Sequence, residues 1–101
     1  MAAGRYWRRP VALVLGADAR WVHEVADALE GAGVDARTAT SSAEATRELD
    51  DGVAVVVSAS QLEDEPASEF LEEAKPRCPV IVVDERGPSR VARTAVLRAL
   101  A

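Results

Sequence analysis

The amino-acid sequence predicts a doubly wound α/β domain, in which helices cover both faces of a parallel sheet. Short apolar runs typical of buried strands alternate four times with segments whose apolar residues recur at helical spacing. The connections between them are short, and right-handed crossovers then require parallel strands with helices on both faces. The length of 101 residues, 49% of them hydrophobic, is ordinary for one such domain.

The first strand and helix occupy the segment after Pro10. Val11 to Leu15 is a continuous apolar run that ends at the turn Gly16-Ala17-Asp18. Four apolar residues then follow at the spacing of one helical face, namely Val22, Val25, Ala26 and Leu29. Gly31 and Gly33 end this helix, because glycine adopts the left-handed conformation that a helix terminus favours.

The second strand is predicted over Val34 to Thr40. It has no large apolar side chain after Val34, which is typical of an edge strand. Ser41 and Glu44 have the spacing of a capping box, in which the glutamate bonds back to the serine amide. The helix that follows is short and extends to about Asp50.

The remaining elements complete the alternation. Val53 to Val57 is the most β-prone run and predicts the central strand. Pro66 suits the first turn of a third helix, whose apolar face holds Ala67, Phe70, Leu71 and Ala74. Val80 to Val83 predicts a fourth strand, and a last helix runs from about Ser89 to the chain end. Six of its residues are expected to cover the sheet, namely Val91, Ala92, Ala95, Val96, Ala99 and Leu100.

Composition excludes several classes of protein. No apolar run approaches the roughly 20 residues of a membrane span, and the N-terminus is unlike a secretory signal, so we expect a cytoplasmic protein. Cys78 and His23 are each alone, which excludes a disulfide framework and a cysteine–histidine zinc site. We predict no cofactor and no metal site.

Charge divides the chain into an arm at residues 1–9 and a domain at 10–101. The arm holds three arginines with Tyr6 and Trp7 and no acid. The net charge of −5 minus the +3 of the arm therefore leaves −8 for the domain. A domain with this negative charge attracts nucleic acid weakly, and we expect it not to bind nucleic acid.

Ligands of doubly wound folds bind at the carboxyl ends of the strands. The turn at Gly16 contains a single glycine and no P-loop lysine, which argues against a nucleotide site. A small-ligand site or an enzyme of the flavodoxin-like type remains the alternative. It would use Asp18, Ser58 and Asp84 around an anion or cofactor.

From Pro10 onward the chain shows, in order, the segments PVALVLGADARWVHEVADALEGAGVDARTATSSAEATREL, VAVVVSAS and CPVIVVDE. This pattern of strands and helices resembles the receiver domain of bacterial and archaeal two-component response regulators. The resemblance implies a flavodoxin-like sheet, whose five strands have the order 2-1-3-4-5 in that family. The fourth strand and fourth helix can be matched in this chain, but no segment matches the fifth strand.

The receiver family transfers a phosphoryl group from a histidine kinase to an aspartate at the end of the third strand, with Mg²⁺ held by an acid pair. By the resemblance, the acid pair falls at Gly16 and Ala17. The phosphoacceptor falls at Ser58, or at Ala59 if the spacing to the next helix is used. The small hydroxyl residue that ends the fourth strand is replaced by Asp84. The resemblance thus implies a degenerate receiver, or pseudo-receiver, that is not an enzyme.

Such a domain is expected to act by protein–protein contact in signal transduction or transcription regulation. The apolar strand at Val80 to Val83 is expected to lie at an edge of the sheet, where its unpaired backbone groups can bond to another chain. We therefore predict a protein partner or a homodimer. Arg90, Arg93 and Leu97 share one face of the last helix and form the candidate interface.

Overall fold

The computed structural model describes residues 9–101, in which strands and helices alternate along the chain. The strands are β1 (Val11–Leu15), β2 (Asp35–Ala39), β3 (Val53–Ser58) and β4 (Val80–Val82). The helices are α1 (Ala19–Gly31), α2 (Ser42–Glu48), α3 (Ser68–Ala74) and α4 (Ser89–Leu100). All strand pairs are parallel, in the order β2-β1-β3-β4. The predicted doubly wound, flavodoxin-like arrangement is confirmed, and the sheet formed by residues 9–101 has four strands.

Two hydrophobic layers enclose the sheet. Alternate residues of β3 face opposite layers, with Val55 and Val57 on one side and Val56 on the other. The first layer packs α1 and α4 on the sheet, and the second packs α2 and α3. As predicted, β3 is flanked by strands on both sides and is almost fully buried.

The position of α4 differs from that of a crossover helix. Right-handed crossovers place α2 and α3 on one face and α1 on the other. A helix leading from β4 to a further parallel strand beside it would lie with α2 and α3, yet α4 packs against α1 and β3. The match of this helix to the family's fourth helix is therefore wrong, because it lies on the opposite face of the sheet.

Local sequence explains where most elements begin and end. Asp18 caps α1 by accepting from the Arg20 amide at 3.0 Å, and Gly33 adopts a positive φ of 89° after its end. Ser41 caps α2 as predicted, accepting from the Glu44 amide at 3.2 Å. The Glu44 carboxylate reaches one residue further back than a capping box requires and accepts from the Thr40 amide at 2.9 Å.

Several details depart from the sequence prediction. Pro66 lies before α3 rather than in its first turn, because it pairs with Gln61 in an isolated bridge. β4 ends at Val82 instead of Val83. Val91 was expected on the sheet, but it is 52% exposed, and the side chains of α4 that are buried are Ala92 and Val96.

The predicted arm at residues 1–9 lies almost entirely outside the described residues. Arg9, its last member, contacts the domain. Its Nη2 donates to the Glu30 carbonyl at 2.8 Å, and its Nε lies 3.3 Å from an Asp35 carboxylate oxygen.

Candidate functional site

The carboxyl end of β1 is filled by an aromatic side chain. Trp21 lies in the first turn of α1, is 4% exposed and packs against Gly16. A Cβ atom at Gly16 would lie only 3.1 Å from Trp21 Cε3 and 3.3 Å from Val22 Cγ2. The space beside this strand end therefore belongs to the indole, and a larger residue at position 16 would have to displace it. Trp21 shares a helical stripe with Val25 and Leu29, a pattern that could have identified it as buried.

The loop between β3 and α3 closes the same end of the sheet. The Ala17 amide donates to the Gln61 carbonyl at 2.9 Å, and the Glu63 amide donates to the Thr40 carbonyl at 2.8 Å. Between these bonds, Leu62 is inserted with 1% of its surface exposed. The switch point between β1 and β3, where ligands of this fold bind, is thus covered by the chain itself.

Carboxylates and hydroxyls hold this loop to the start of α2. The Thr40 hydroxyl lies 3.0 Å from Glu44 Oε1 and 2.8 Å from Glu63 Oε1, and its single proton serves one of them at a time. Asp64 accepts from the Ser42 amide at 3.0 Å and from the Ser42 hydroxyl. We call these residues, together with Trp21 and the loop that contains Leu62, the closed end.

The same bonds lower the pKa values of two carboxyls. Bonds from the Thr40 amide and hydroxyl hold the pKa of Glu44 below its usual value. Bonds from the Ser42 hydroxyl and amide lower the pKa of Asp64 in the same way. Both carboxylates are therefore stabilised as anions by the loop that they hold.

Ser58 and Asp84 lie at neighbouring strand ends but have separate partners. Ser58 is fully buried, and its hydroxyl donates to the Ala59 carbonyl at 2.6 Å. The Asp84 carboxylate is exposed and accepts from the Arg86 amide at 2.9 Å and from Arg86 Nε at 3.3 Å, which lowers the pKa of Asp84. With Asp18 capping α1, the three residues of the alternative site each serve a local structural role.

Other reactive side chains lie away from these strand ends. Cys78 precedes β4 at the amino end of the sheet, away from the carboxyl ends of the strands. Burial raises the pKa of its thiol, which disfavours the reactive thiolate. His23 Nδ1 lies 2.8 Å from the Ala19 carbonyl within α1. Across residues 9–101, no group of three or more histidine, cysteine, aspartate or glutamate side chains is arranged to hold a metal ion.

In contrast to the ends of β1 and β3, the side of β4 is uncovered, because within residues 9–101 β4 pairs with β3 alone. The bonds from the Val56 amide to Pro79 and from the Val83 amide to Ser58 bracket this ladder. Backbone polar groups alternate in direction along a strand. The amide and carbonyl groups of Val80 and Val82 therefore point away from β3. We call this row the free edge. The Val82 side chain is 56% exposed. A groove of about 560 Å³ opens beside it at the carboxyl end of β4, where Ser60, Asp84, Glu85 and Arg86 also line it.

The predicted interface residues of α4 are all exposed. Arg90 and Arg93 face solvent, and Leu97 is 37% exposed. A second groove, of about 310 Å³, lies on the same helix and is lined by Arg90, Val91, Thr94, Ala95 and Arg98. Sequence reasoning missed Val91 as a surface residue because its helical spacing fits the buried stripe equally well.

The fold and these strand ends define the class of a flavodoxin-like α/β domain. The structure is similar to the signal receiver domain of a protein described as the Luxo repressor of Vibrio parahaemolyticus. The TM-score is 0.79, with 11% identity over 92% of this chain and 91% of that chain. It is also similar to the lactose-specific IIB component domain of the phosphoenolpyruvate:carbohydrate phosphotransferase system from Streptococcus pneumoniae. There the TM-score is 0.64, with 18% identity over 93% and 100% of the two chains.

At these identities the likeness is one of fold, and it bears out the receiver-like architecture that the sequence pattern suggested. No protein-family model matches the chain, and no curated protein matches it in sequence. None of the helices in residues 9–101 has the length and apolar character needed to cross a bilayer.

Proposed function

We propose that this chain is a receiver-like signalling module that works by protein–protein contact and without Mg²⁺-dependent phosphorylation. The observation that carries the proposal is the Trp21 indole packed against Gly16. By the resemblance, this position belongs to a carboxylate that holds Mg²⁺. A buried indole supplies no oxygen ligand, which is what Mg²⁺ requires, and it occupies the space that a carboxylate would need.

Two further positions support the same proposal. Ser58, where the resemblance puts the phosphoacceptor, carries no carboxylate and has its hydroxyl bonded within the fold. Asp84 places a negative charge at the end of β4, where a phosphoryl group would be repelled. The module is accordingly not an enzyme, and it needs no cofactor.

The experiment is intact-mass measurement of the full chain after incubation with acetyl phosphate and Mg²⁺. Amide NMR spectra are recorded in parallel during titration with Mg²⁺. We expect no phosphoryl adduct and no shift of the Gly16, Ala17 or Ser58 amides. A phosphoryl adduct that forms only with Mg²⁺ would overturn the proposal.

Self-association is one form that the contact takes in this proposal. The supporting observation is Leu97, a partly exposed leucine beside Arg93 on α4. Arginine with exposed apolar side chains is typical of interfaces. The paired change Arg93→Glu with Leu97→Glu should lower the average mass measured by sedimentation at high protein concentration. An unchanged mass would exclude this face as the dimer contact.

The small-ligand alternative, built on Asp18, Ser58 and Asp84, is disfavoured by the closed end. The loop over Leu62 fills the site at the β1–β3 switch point, and the three side chains are bonded to separate local groups. A gain in Tm with flavins or nucleotides would support the alternative, because a ligand that binds the folded state raises stability.

A further inference from the structure

We infer that the free edge of β4 binds an acidic, extended segment of a partner protein, which adds to the sheet as a fifth strand. This inference rests on the proposed function and names the partner chemistry for it. The backbone groups of Val80 and Val82 provide the hydrogen bonds of such an addition.

Apolar surface flanks the free edge on both faces of the sheet. On the α2–α3 face, Val82 is 56% exposed. On the α1 face, Ile81 and Val83 are only partly buried, and α4 stands beside them. Side chains of an added strand alternate between the faces, so both surfaces would be covered at once.

The handedness of the fold decides which side of α4 lies over the free edge. Viewed from the α1 face, right-handed crossovers put α1 on one side of α4 and the free edge on the other. α4 is a right-handed helix that runs antiparallel to the strands, so the Arg93 side chain lies on the side of α4 that faces α1. Val91 and Ala95 turn toward the free edge, where they line the groove of about 310 Å³.

Asp84 and Glu85 line the groove at the carboxyl end of β4, so the charge that favours an acidic partner lies on the α4 side of the free edge. The groove on α4 is flanked by Arg90 and Arg98, and no acidic residue occurs from position 89 to 101. Across residues 9–101, neither arginine lies within 4.0 Å of a carboxylate. Glutamate side chains on the α4 face of an added strand would lay their stems on Val91 and Ala95 and pair with these guanidinium groups.

Two other occupants fit less well. A strand following α4 in the same chain and running parallel to β4 would need a left-handed crossover, since α4 lies on the α1 face. A second copy pairing its own β4 antiparallel would use a two-fold axis normal to the sheet. That axis would place the two α4 helices on the same face, with Arg90 and Arg98 of each copy opposite like charges.

The test uses the full chain and two labelled synthetic peptides, one alternating valine with glutamate and the other alternating valine with lysine. Fluorescence anisotropy measures affinity, and NMR hydrogen exchange measures protection of the Val80 and Val82 amides. We expect the glutamate peptide to bind at least about tenfold more tightly than the lysine peptide and to slow exchange at both amides.

Two sets of variants locate the contact. Arg90→Glu with Arg98→Glu should weaken glutamate-peptide binding about tenfold or more, whereas Arg47→Glu, the same kind of charge change on α2, should have little effect. Val82→Pro removes an amide that points away from β3 and should abolish protection at Val80. The charge variants keep the test decisive if the proline variant fails to fold, because they alter exposed side chains only.

Several results would overturn the inference. Equal affinity for both peptides would exclude an acidic partner, and an equal loss in Arg47→Glu would exclude α4 as its site. Protection of Val80 and Val82 that rises with protein concentration alone would identify a second copy as the occupant. Phosphoryl uptake, measured separately, reports on the proposed function, so either hypothesis can fail while the other stands.

Discussion

The closed end and the free edge are two boundaries of one sheet, and they differ in whether their space is filled and their polar groups are paired. At the closed end, Trp21 and Leu62 fill the space beyond β1 and β3, and the polar groups of Thr40 and Ser42 are bonded to carboxylates. At the free edge, the backbone of Val82 is unpaired among the described residues and its side chain is largely exposed.

This difference separates a structural boundary from a binding boundary. Filled space and paired polar groups stabilise a fold but leave no affinity for a ligand. Exposed apolar surface beside unpaired backbone groups is the usual starting point for strand addition. The comparison therefore directs the proposed strand addition to the side of the sheet rather than to the ends of β1 and β3.

The largest effect is expected from Ser58→Asp, which introduces a carboxylate at the carboxyl end of β3. Position 58 is fully buried, and an unpaired carboxylate there should lower the free energy of unfolding by about 3–5 kcal/mol. Burial raises the folded pKa of such a group above its unfolded value, so the loss should be smallest below about pH 4 and grow as pH rises through the folded pKa. Urea unfolding at several pH values measures it.

Ser58→Asn is the control for Ser58→Asp, because asparagine has nearly the same volume without the charge. Its cost should not vary with pH over this range. If aspartate is tolerated at neutral pH, then solvent or a cation reaches position 58, and the closed end is open to ligands after all.

Leu62→Ala tests whether the loop is held shut by packing. Leu62 is 1% exposed, and its truncation should cost about 2–4 kcal/mol, the usual range for a buried leucine. Hydrogen exchange at the Ala17 amide, which bonds to Gln61, should accelerate more than exchange within β3. Gln61→Ala, an exposed neighbour in the same loop, serves as the control and should change stability little. Equal losses in the two variants would contradict the role given to Leu62.

Gly16→Ala isolates the contact with the Trp21 indole. The added methyl would meet ring atoms at 3.1–3.2 Å and should destabilise the protein by about 1–3 kcal/mol. Gly31→Ala is the matched control, since no atom lies within 4 Å of its added Cβ and alanine favours the helix. That variant should be neutral or stabilising by up to about 1 kcal/mol. Equal effects at the two glycines would mean that Trp21 moves freely.

Periodicity was sufficient to predict the fold. Strands that alternate with helices over short connections leave few topologies, and the order β2-β1-β3-β4 is the one expected. The face chosen by α4 was not predictable from the same rule, because handedness constrains a helix only when a parallel strand follows it. Val91 was misplaced for a different reason, since its helical spacing fits the buried stripe as well as the surface beside it.

The sequence was sufficient to place the candidate residues at strand ends but not to predict what surrounds them. Sequence reasoning located Gly16, Ser58 and Asp84 at the ends of the strands, where the structure has them. It could not show that Leu62, one apolar residue in a polar stretch, folds back over those ends. Such a contact depends on the path of a loop, and the spacing of apolar residues does not predict that path.

The smallest effect is expected from acid, which should loosen the closed end. The pKa values of Glu44 and Asp64 are lowered by bonds from Thr40 and Ser42, so their stabilising effect is present above about pH 4 and is lost as pH falls through the folded pKa values. Glu44→Gln with Asp64→Asn should lower Tm at neutral pH and flatten its fall in acid. Thermal scans from about pH 2 to 7 test this, with Glu24→Gln on exposed α1 as the control. A double variant whose Tm falls in acid as steeply as that of the unmodified chain would show that other carboxylates hold the fold. The closed end would then owe its closure to Leu62 and Trp21 alone.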